Sequence, residues 1–165
     1  MYQFNYIKAQ SIEEASNALS NNPEAKILAG GMTLIPTMKQ RLASPEQLID
    51  IRQIEELKFI KIESNNIVVG SVSSHFEVSS SEIINENLPV LSKLAEGIGD
   101  PHVRNMGTIG GSISNNDPTA DYPAACIGLG ATIKTSKREV SSDEFFVDPV
   151  SYTRLRAHET RIHLV

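Results

Sequence analysis

The 165-residue chain has one cysteine, no tryptophan and few aromatic residues, and it has no long apolar run. A single thiol, Cys126, excludes an internal disulfide and an iron–sulfur cluster held by this chain alone. No segment approaches the length of a membrane span, and the N-terminus lacks the charge and apolar core of a signal peptide. We therefore expect no transmembrane segment and a cytoplasmic protein.

Basic charge is also scarce. The formal net charge at pH 7 is −5, from 15 Lys and Arg against 20 Asp and Glu. Because nucleic-acid binding needs a basic stripe, we expect no nucleic-acid partner. The four histidines are scattered without a close pair, so no metal site is predicted. The remaining composition is typical of a globular protein large enough for one domain or two associated lobes.

The first 55 residues predict a small α/β lobe. Residues 11–14 have the form of a capping box and predict a helix behind them. Residues 26–29 are a short apolar run typical of a buried strand, and Thr33 can cap a second helix. Residues 48–51 indicate a further strand. The order strand, helix, strand, helix, strand favours a parallel sheet.

From residue 56 the pattern changes. Residues 57–62 and 67–70 predict a hairpin, because a turn-forming pair of asparagines separates two strand-like runs. Helices are expected over residues 76–84 and 88–95. Residues 108–114 are interpreted as a strand that carries a glycine pair.

The remainder predicts more strands than helices. Asp121 is expected to cap a helix, residues 131–135 and 139–141 to form strands, and residues 143–146 to form a helical turn. Residues 161–165 alternate like a strand and stop on apolar residues. This ending indicates either that the protein is longer or that a partner completes the fold. The partner can be a second copy of the chain that associates through this edge. We thus expect an α+β lobe over residues 56–165 with a mostly antiparallel sheet.

Two glycine pairs are the strongest functional signal. Adjacent glycines have no Cβ atoms, so their N–H groups can approach a ligand closely. The first pair, Gly30 and Gly31, lies between a strand and a helix start, a position that fits an anion site; on this segment alone, a tight turn is the preferred interpretation. The second pair, Gly110 and Gly111, lies in a segment rich in hydroxyl groups.

The hydroxyls of Thr108, Ser112 and Ser114 can bond phosphate or ribose oxygens, and Asp121 can accept bonds from sugar hydroxyls. The alternative is an irregular loop capped by Asp117 and Asp121. Two such glycine segments predict one extended diphosphate-containing ligand held from two sides.

The flanks of both pairs resemble a known family. Residues 26–36, followed by Met38 and Lys39, resemble the first flavin motif of the FAD subunits of molybdenum hydroxylases. Residues 100–111, with Asp117 and Asp121, resemble the second motif. The similarity is to the medium subunit of aerobic carbon monoxide dehydrogenase and its xanthine dehydrogenase relatives, and it covers nearly the whole chain.

The resemblance implies a two-lobed FAD-binding fold with the cofactor between the lobes. It implies that the first loop holds the diphosphate, that the second continues along the cofactor, that Asp121 bonds the ribityl region, and that Ile98 and Gly99 border the other side. The cofactor-binding residues implied in this way are Ile27, Leu28, Ala29, Gly30, Gly31, Met32, Thr33, Leu34, Ile98, Gly99, Gly107, Thr108, Gly111, Ser112, Ser114 and Asp121.

Residues 145–147 are similar to a later element of the family. The chain departs from the pattern there, with Asp148 in place of a glycine and one extra residue before Thr153 and Leu155, where a flavin contact is expected. The family also has a further C-terminal domain that this sequence does not reach.

By resemblance, the function is electron transfer through FAD. The implied partners are a molybdopterin-binding large subunit, which oxidises the substrate, and a 2Fe–2S small subunit, which passes electrons to FAD. No acid–base residue is required, so no catalytic residue is predicted. Two alternatives stay open: a cofactor-free interaction module and a stand-alone flavin oxidoreductase. Cys126 is interpreted as a core residue.

Overall fold

The computed structural model describes residues 1–146 and the backbone of residues 161–164. Asp148, Thr153 and Leu155 lie outside the described residues. The strands are β1 (Asn5–Lys8), β2 (Lys26–Leu28), β3 (Gln47–Asp50), β4 (Ile60–Glu63), β5 (Asn66–Gly70), β6 (Thr132–Lys134), β7 (Glu139–Ser141) and β8 (Arg161–Leu164). The helices are α1 (Ile12–Asn21), α2 (Leu34–Lys39), α3 (His75–Ser80), α4 (Glu82–Asn87), α5 (Pro89–Gly97), α6 (Pro101–Met106), α7 (Ile109–Asn115), α8 (Asp121–Gly128) and α9 (Ser142–Phe145), and Glu55–Leu57 form a 3₁₀ turn.

The N-terminal lobe is built on a parallel sheet in the order β1-β3-β2. Ile49 of the central strand lies opposite Ile27 of β2 and Ile7 of β1. Helix α1 begins where the Ser11 hydroxyl accepts the N–H of Glu14, and it buries Ala15 against this sheet. The predicted α/β lobe is therefore confirmed.

The second sheet has the order β4-β5-β8-β6-β7, and every neighbouring pair is antiparallel. Strand β8 pairs with β5 on one side and with β6 on the other; Ile162 lies opposite both Val69 and Ile133. Both sides of the strand therefore already carry ladder hydrogen bonds, and β8 has no free edge for the predicted self-association.

Residues 108–114 form a helix rather than the predicted strand. Thr108 is the N-cap of α7, and its hydroxyl accepts the N–H of Gly111. The apolar residues Ile109 and Ile113 are four positions apart, so both face the core from one side of the helix. Helix α8 begins one residue earlier than expected, because Ala120 rather than Asp121 is its N-cap and Asp121 lies in its first turn.

Short helices replace one long helix after β5. The predicted helix over residues 76–84 is divided into α3 and α4, because Ser81 is extended and its hydroxyl accepts the N–H of Ile84. Helix α6 was not predicted, although its signal is present: Asp100 accepts the N–H groups of His102 and Val103, and Pro101 occupies the first turn.

Two larger hydrophobic cores flank the site, and a smaller cluster contains Leu28, Met38 and Leu48. Helices α7 and α8 bury Ile109, Ile113 and Tyr122 against the antiparallel sheet. The other core lies on the parallel sheet and also includes Leu57 and Val72, which come from beyond residue 55. The chain after residue 55 thus packs against the N-terminal lobe and helps to close the space between the lobes. In the described part of the chain, no helix is long and apolar enough to cross a bilayer.

Candidate functional site

A cleft of about 580 Å³ lies between the two lobes. Its walls are the loop that joins β2 to α2 and the first turns of α7, together with the end of β5 and the start of α8. Thirteen of the sixteen predicted cofactor residues line it: Ile27, Leu28, Ala29, Gly30, Gly31, Met32, Thr33, Leu34, Gly107, Thr108, Gly111, Ser112 and Ser114.

The first glycine loop leaves its backbone donors unused. Strand β2 ends at Leu28, whose carbonyl accepts the N–H of Ile51 at 3.1 Å. Gly31 then adopts the left-handed conformation, with φ of 72°. The N–H groups of residues 30–33 donate to no described residue. Unpaired N–H groups in succession beside a helix start are typical of an anion cradle.

Thr33 occupies the N-cap position of α2, as predicted, but its side chain makes no capping hydrogen bond. Its carbonyl instead accepts the N–H and the hydroxyl of Thr37, at 3.2 and 2.8 Å. The Thr33 hydroxyl lies at the cleft without a capping role, so it is a further neutral donor on this loop.

The second glycine pair differs from the prediction, because its N–H groups are already in use. Ile109 donates to the carbonyl of Ser73, and Gly110 donates to the carbonyl of Ser71, both at 3.0 Å. The N–H of Gly111 donates to the Thr108 hydroxyl at 3.1 Å. The second loop therefore contributes side chains to the cleft wall, and its glycines let the backbone lie close to the cleft. It does not contribute a row of free N–H groups.

The two loops are in direct contact. A Cβ atom on Gly30 would lie 2.1 Å from the Met106 carbonyl oxygen and 2.7 Å from the Cα of Gly107. A Cβ on Gly111 would lie 3.8 Å from the Cβ of Ala29. Glycine is required at position 30 because a side chain there would separate the lobes.

Two buried rings, His75 and Tyr122, pack beneath the second glycine loop on the side away from the cleft. The backbone N–H of His75 donates to the carbonyl of Gly107, and a Cβ on Gly107 would lie 2.6 Å from the His75 Nε2. The His75 and Tyr122 ring centroids are 5.4 Å apart. Burial lowers the pKa of His75 to about 4 and raises the pKa of the Tyr122 hydroxyl, so both rings are neutral near pH 7.

Three of the predicted cofactor residues do not line the cleft. Ile98 and Gly99 join α5 to α6, and their carbonyls accept hydrogen bonds from Arg104 at 3.1 and 3.2 Å. Asp121 is exposed in the first turn of α8, and the preceding Ala120 lines the cleft instead.

Several lining residues were missed from the sequence. Asn115 lies within the polar segment that the sequence singled out, but it was not selected. Ser71 and Gly110 are brought to the cleft by the hydrogen bond between them. Since Ser71 lies about forty positions from each glycine pair in the sequence, no local signal pointed to it.

The described residues form neither a metal site nor a site with a reactive cysteine. They contain no group of three or more His, Cys, Asp or Glu side chains that could hold a metal ion. Cys126 is buried in α8, and burial raises the pKa of its thiol to about 12, as expected for a core residue rather than a nucleophile.

The fold and the cleft define a class of protein: a two-lobed α+β domain with a loop of unpaired backbone N–H groups at the cleft between its lobes. The sequence model of one family, described as the FAD binding domain in molybdopterin dehydrogenase, matches residues 2–160. The chain belongs to this family, and its cofactor is FAD.

Individual relatives agree. The chain is 38% identical over 151 residues to the glyceraldehyde dehydrogenase medium chain of Sulfolobus acidocaldarius, covering 89% of this chain and 54% of that one. It is 41% identical over 150 residues to the carbon monoxide dehydrogenase medium chain of Hydrogenophaga pseudoflava, covering 88% and 52%. The chain thus spans about half the length of the curated relatives that it matches.

Solved structures show the same fold. A reconstituted CO dehydrogenase from Oligotropha carboxidovorans superposes with a TM-score of 0.93 at 33% identity, covering 99% of this chain and 59% of that chain. The carbon monoxide dehydrogenase from Hydrogenophaga pseudoflava superposes with a TM-score of 0.92 at 39% identity, with the same coverage.

The residues of the cleft fit FAD. Its diphosphate is an anion, and the N–H groups of residues 30–33 are donors without a protein partner. A Cβ on Gly31 would come within 2.9 Å of the Leu28 Cδ1, and its φ of 72° disfavours any side chain. The cleft also lies within the volume range of ordinary cofactor sites.

Proposed function

We propose that the chain is the FAD-binding part of a medium subunit of a molybdenum hydroxylase-type dehydrogenase, which passes electrons from 2Fe–2S clusters to an acceptor. The observation that carries this proposal is the row of unpaired N–H groups in the loop of residues 30–33, at the wall of a cleft between two lobes. Its support is membership of the family and the names of the relatives.

The role of this chain's residues is to bind FAD and to orient it. The loop from Ile27 to Leu34 holds the diphosphate by neutral backbone donors, and Gly107, Thr108, Gly111, Ser112 and Ser114 continue along the cofactor. Ile98, Gly99 and Asp121 are assigned to this site by resemblance alone. When bound, FAD supplies the redox chemistry, and the protein supplies position and exclusion of water.

The partners and the substrate belong to the same proposal. A molybdopterin-binding large subunit and a 2Fe–2S small subunit would flank this chain, in a cytoplasmic complex. Since relatives of this chain serve dehydrogenases named for glyceraldehyde, carbon monoxide and xanthine, we infer that another subunit selects the substrate. We also propose a division of the domain into lobes at residues 1–55 and 56–165.

The test is ligand binding by the purified chain. FAD added to the flavin-free protein is expected to bind saturably, with quenched fluorescence and a flavin spectrum that dithionite bleaches. ADP, which carries the diphosphate without the flavin, is expected to compete, whereas riboflavin, which lacks phosphate, is expected to bind far more weakly. Absence of FAD binding at saturating concentrations would contradict the proposal.

A further inference from the structure

Ser71 is a buried serine whose hydroxyl has no protein partner. It follows β5, is 4% exposed and lines the cleft. Within the part of the chain that the structure describes, its Oγ makes no hydrogen bond. A buried hydroxyl without a partner is unfavourable, so such a group at a cleft wall points to a ligand that completes it.

The backbone holds this side chain in place. The Ser71 carbonyl accepts the N–H of Gly110 at 3.0 Å, and the next residue, Val72, donates to the carbonyl of Leu57 at 3.0 Å. A Cβ on Gly110 would lie 2.5 Å from the Ser71 Cβ. Ser71 is therefore fixed under the second glycine loop, and its hydroxyl can reorient only by rotation about χ1.

The neighbouring serines show that Ser71 is different. The Ser73 hydroxyl donates to the carbonyl of Phe59 at 3.1 Å, and the Ser74 hydroxyl caps α3. Ser142 resembles Ser71, since it is 1% exposed with an unpartnered hydroxyl, but it lies in α9 and does not line the cleft.

The local chemistry indicates which part of the ligand the hydroxyl meets. Gly110 is bonded to Ser71, and the adjacent Gly111 packs against Ala29, where the loop of unpaired N–H groups begins. Among the described residues that line the cleft, Lys26 is the one cationic side chain, and it is exposed. Apart from Lys26, an anion in this cleft depends on neutral donors.

We propose that the Ser71 hydroxyl donates a hydrogen bond to a diphosphate oxygen of FAD, as a binding residue outside both glycine motifs. This inference rests on the proposed function. Phosphate oxygens accept and never donate at neutral pH, so Ser71 is the donor and the bond is charge-assisted.

The experiment compares Ser71→Ala with Ser142→Ala in the full chain. Both changes remove an unpartnered buried hydroxyl, so the midpoint of thermal unfolding of each flavin-free variant is expected to equal or exceed that of the wild type. FAD titration is expected to show affinity weakened about tenfold or more for Ser71→Ala and unchanged for Ser142→Ala.

Ligand fragments locate the bond. The weakening by Ser71→Ala is expected for ADP as well as for FAD; a loss confined to riboflavin would overturn the assignment to the diphosphate. Ser71→Ala with FAD affinity within about twofold of the wild type would overturn the inference. So would a lowered unfolding midpoint of the flavin-free variant, since that result reveals a structural partner. A wild-type chain that binds no FAD would instead overturn the proposed function, and this inference with it.

Discussion

The two glycine loops look alike in sequence, but their backbone N–H groups differ in whether they have protein partners in the structure. The loop at Gly30 and Gly31 has a left-handed residue and a row of N–H groups without protein partners. The loop at Gly110 and Gly111 donates its N–H groups to Ser71 and Thr108. A glycine pair can therefore mean an open anion cradle or a site of close packing.

The difference has a physical cause. Gly110 must be a glycine because the Ser71 backbone lies where its side chain would be, and the contact is satisfied within the protein. Gly31 must be a glycine because of its backbone conformation, and only side-chain ends surround it. Substitutions in the second loop should therefore act on stability, and a substitution at Gly31 should act on binding. Gly30 also meets backbone, so a substitution there should act on both.

The largest effect is expected at Gly30, where the loops touch. In Gly30→Ala the new Cβ would lie 2.1 Å from the Met106 carbonyl oxygen, and backbone cannot yield as a flexible side chain does. We expect about 3 kcal/mol lower free energy of unfolding, measured in urea, and loss of FAD binding. The matched control is Gly97→Ala, where no atom lies within 4 Å. If Gly30→Ala unfolds with the free energy of the wild type, Gly30 does not lie at a tight contact between the two loops.

Acid should weaken the support behind the second loop. Burial lowers the pKa of His75 from 6.5 to about 4, so the unfolded chain takes up the proton first. This part of the stability is complete above pH 6.5 and decreases as the pH falls from 6.5 to 4. The expected loss at pH 4 is about 3 kcal/mol.

His75→Phe isolates this contribution because it removes the titrating group. Glu77 on the same helix is bonded to Ser74 and Lys58, and the facing Tyr122 is neutral. The difference in unfolding free energy between wild type and His75→Phe should change across this pH range. A constant difference between pH 7 and pH 4 would show that His75 does not titrate as described.

Gly31→Ala should affect binding more than stability. The positive φ of 72° strains any side chain, at a cost of about 1–2 kcal/mol, and relief of the strain turns the N–H groups of the cradle. We expect FAD affinity to fall about tenfold or more in a fluorescence titration. Gly130→Ala is the matched control, with φ of 62° and no atom within 4 Å. It should show similar strain with unchanged affinity; equal affinity losses would refute the first-loop assignment.

The smallest effect is expected at the cap of the second loop. Thr108→Ala removes the oxygen that accepts the Gly111 N–H and should lower the free energy of unfolding by about 1 kcal/mol. Thr108→Ser keeps that oxygen and should recover most of the loss. If both variants unfold like the wild type, the capping bond does not hold this loop.

Local signals were sufficient for the N-terminal lobe. The Ser11 cap of α1 and the apolar run of β2 act over a few residues, so the helix and the strand could be predicted. The C-terminal strand was also predicted from its alternation. Its place between β5 and β6 could not be, because pairing over long separations leaves no local mark.

Helix α7 shows how a local pattern can mislead. The apolar residues around Gly110 and Gly111 form too short a run to distinguish a strand from a helix. The Thr108 cap and the hydrogen bonds from Ile109 to Ser73 and from Gly110 to Ser71 are consistent with the helix. Ser73 and Ser71 lie more than thirty positions earlier in the chain.

The sequence by itself determined the family, the α/β start of the fold and the two glycine segments that line the cleft, because these depend on residue types at short spacing. The tertiary structure alone decided which glycine pair keeps its N–H groups free and brought Ser71 and His75 behind the loops. Both depend on which donors find protein acceptors after the lobes pack, and that is a property of the folded chain.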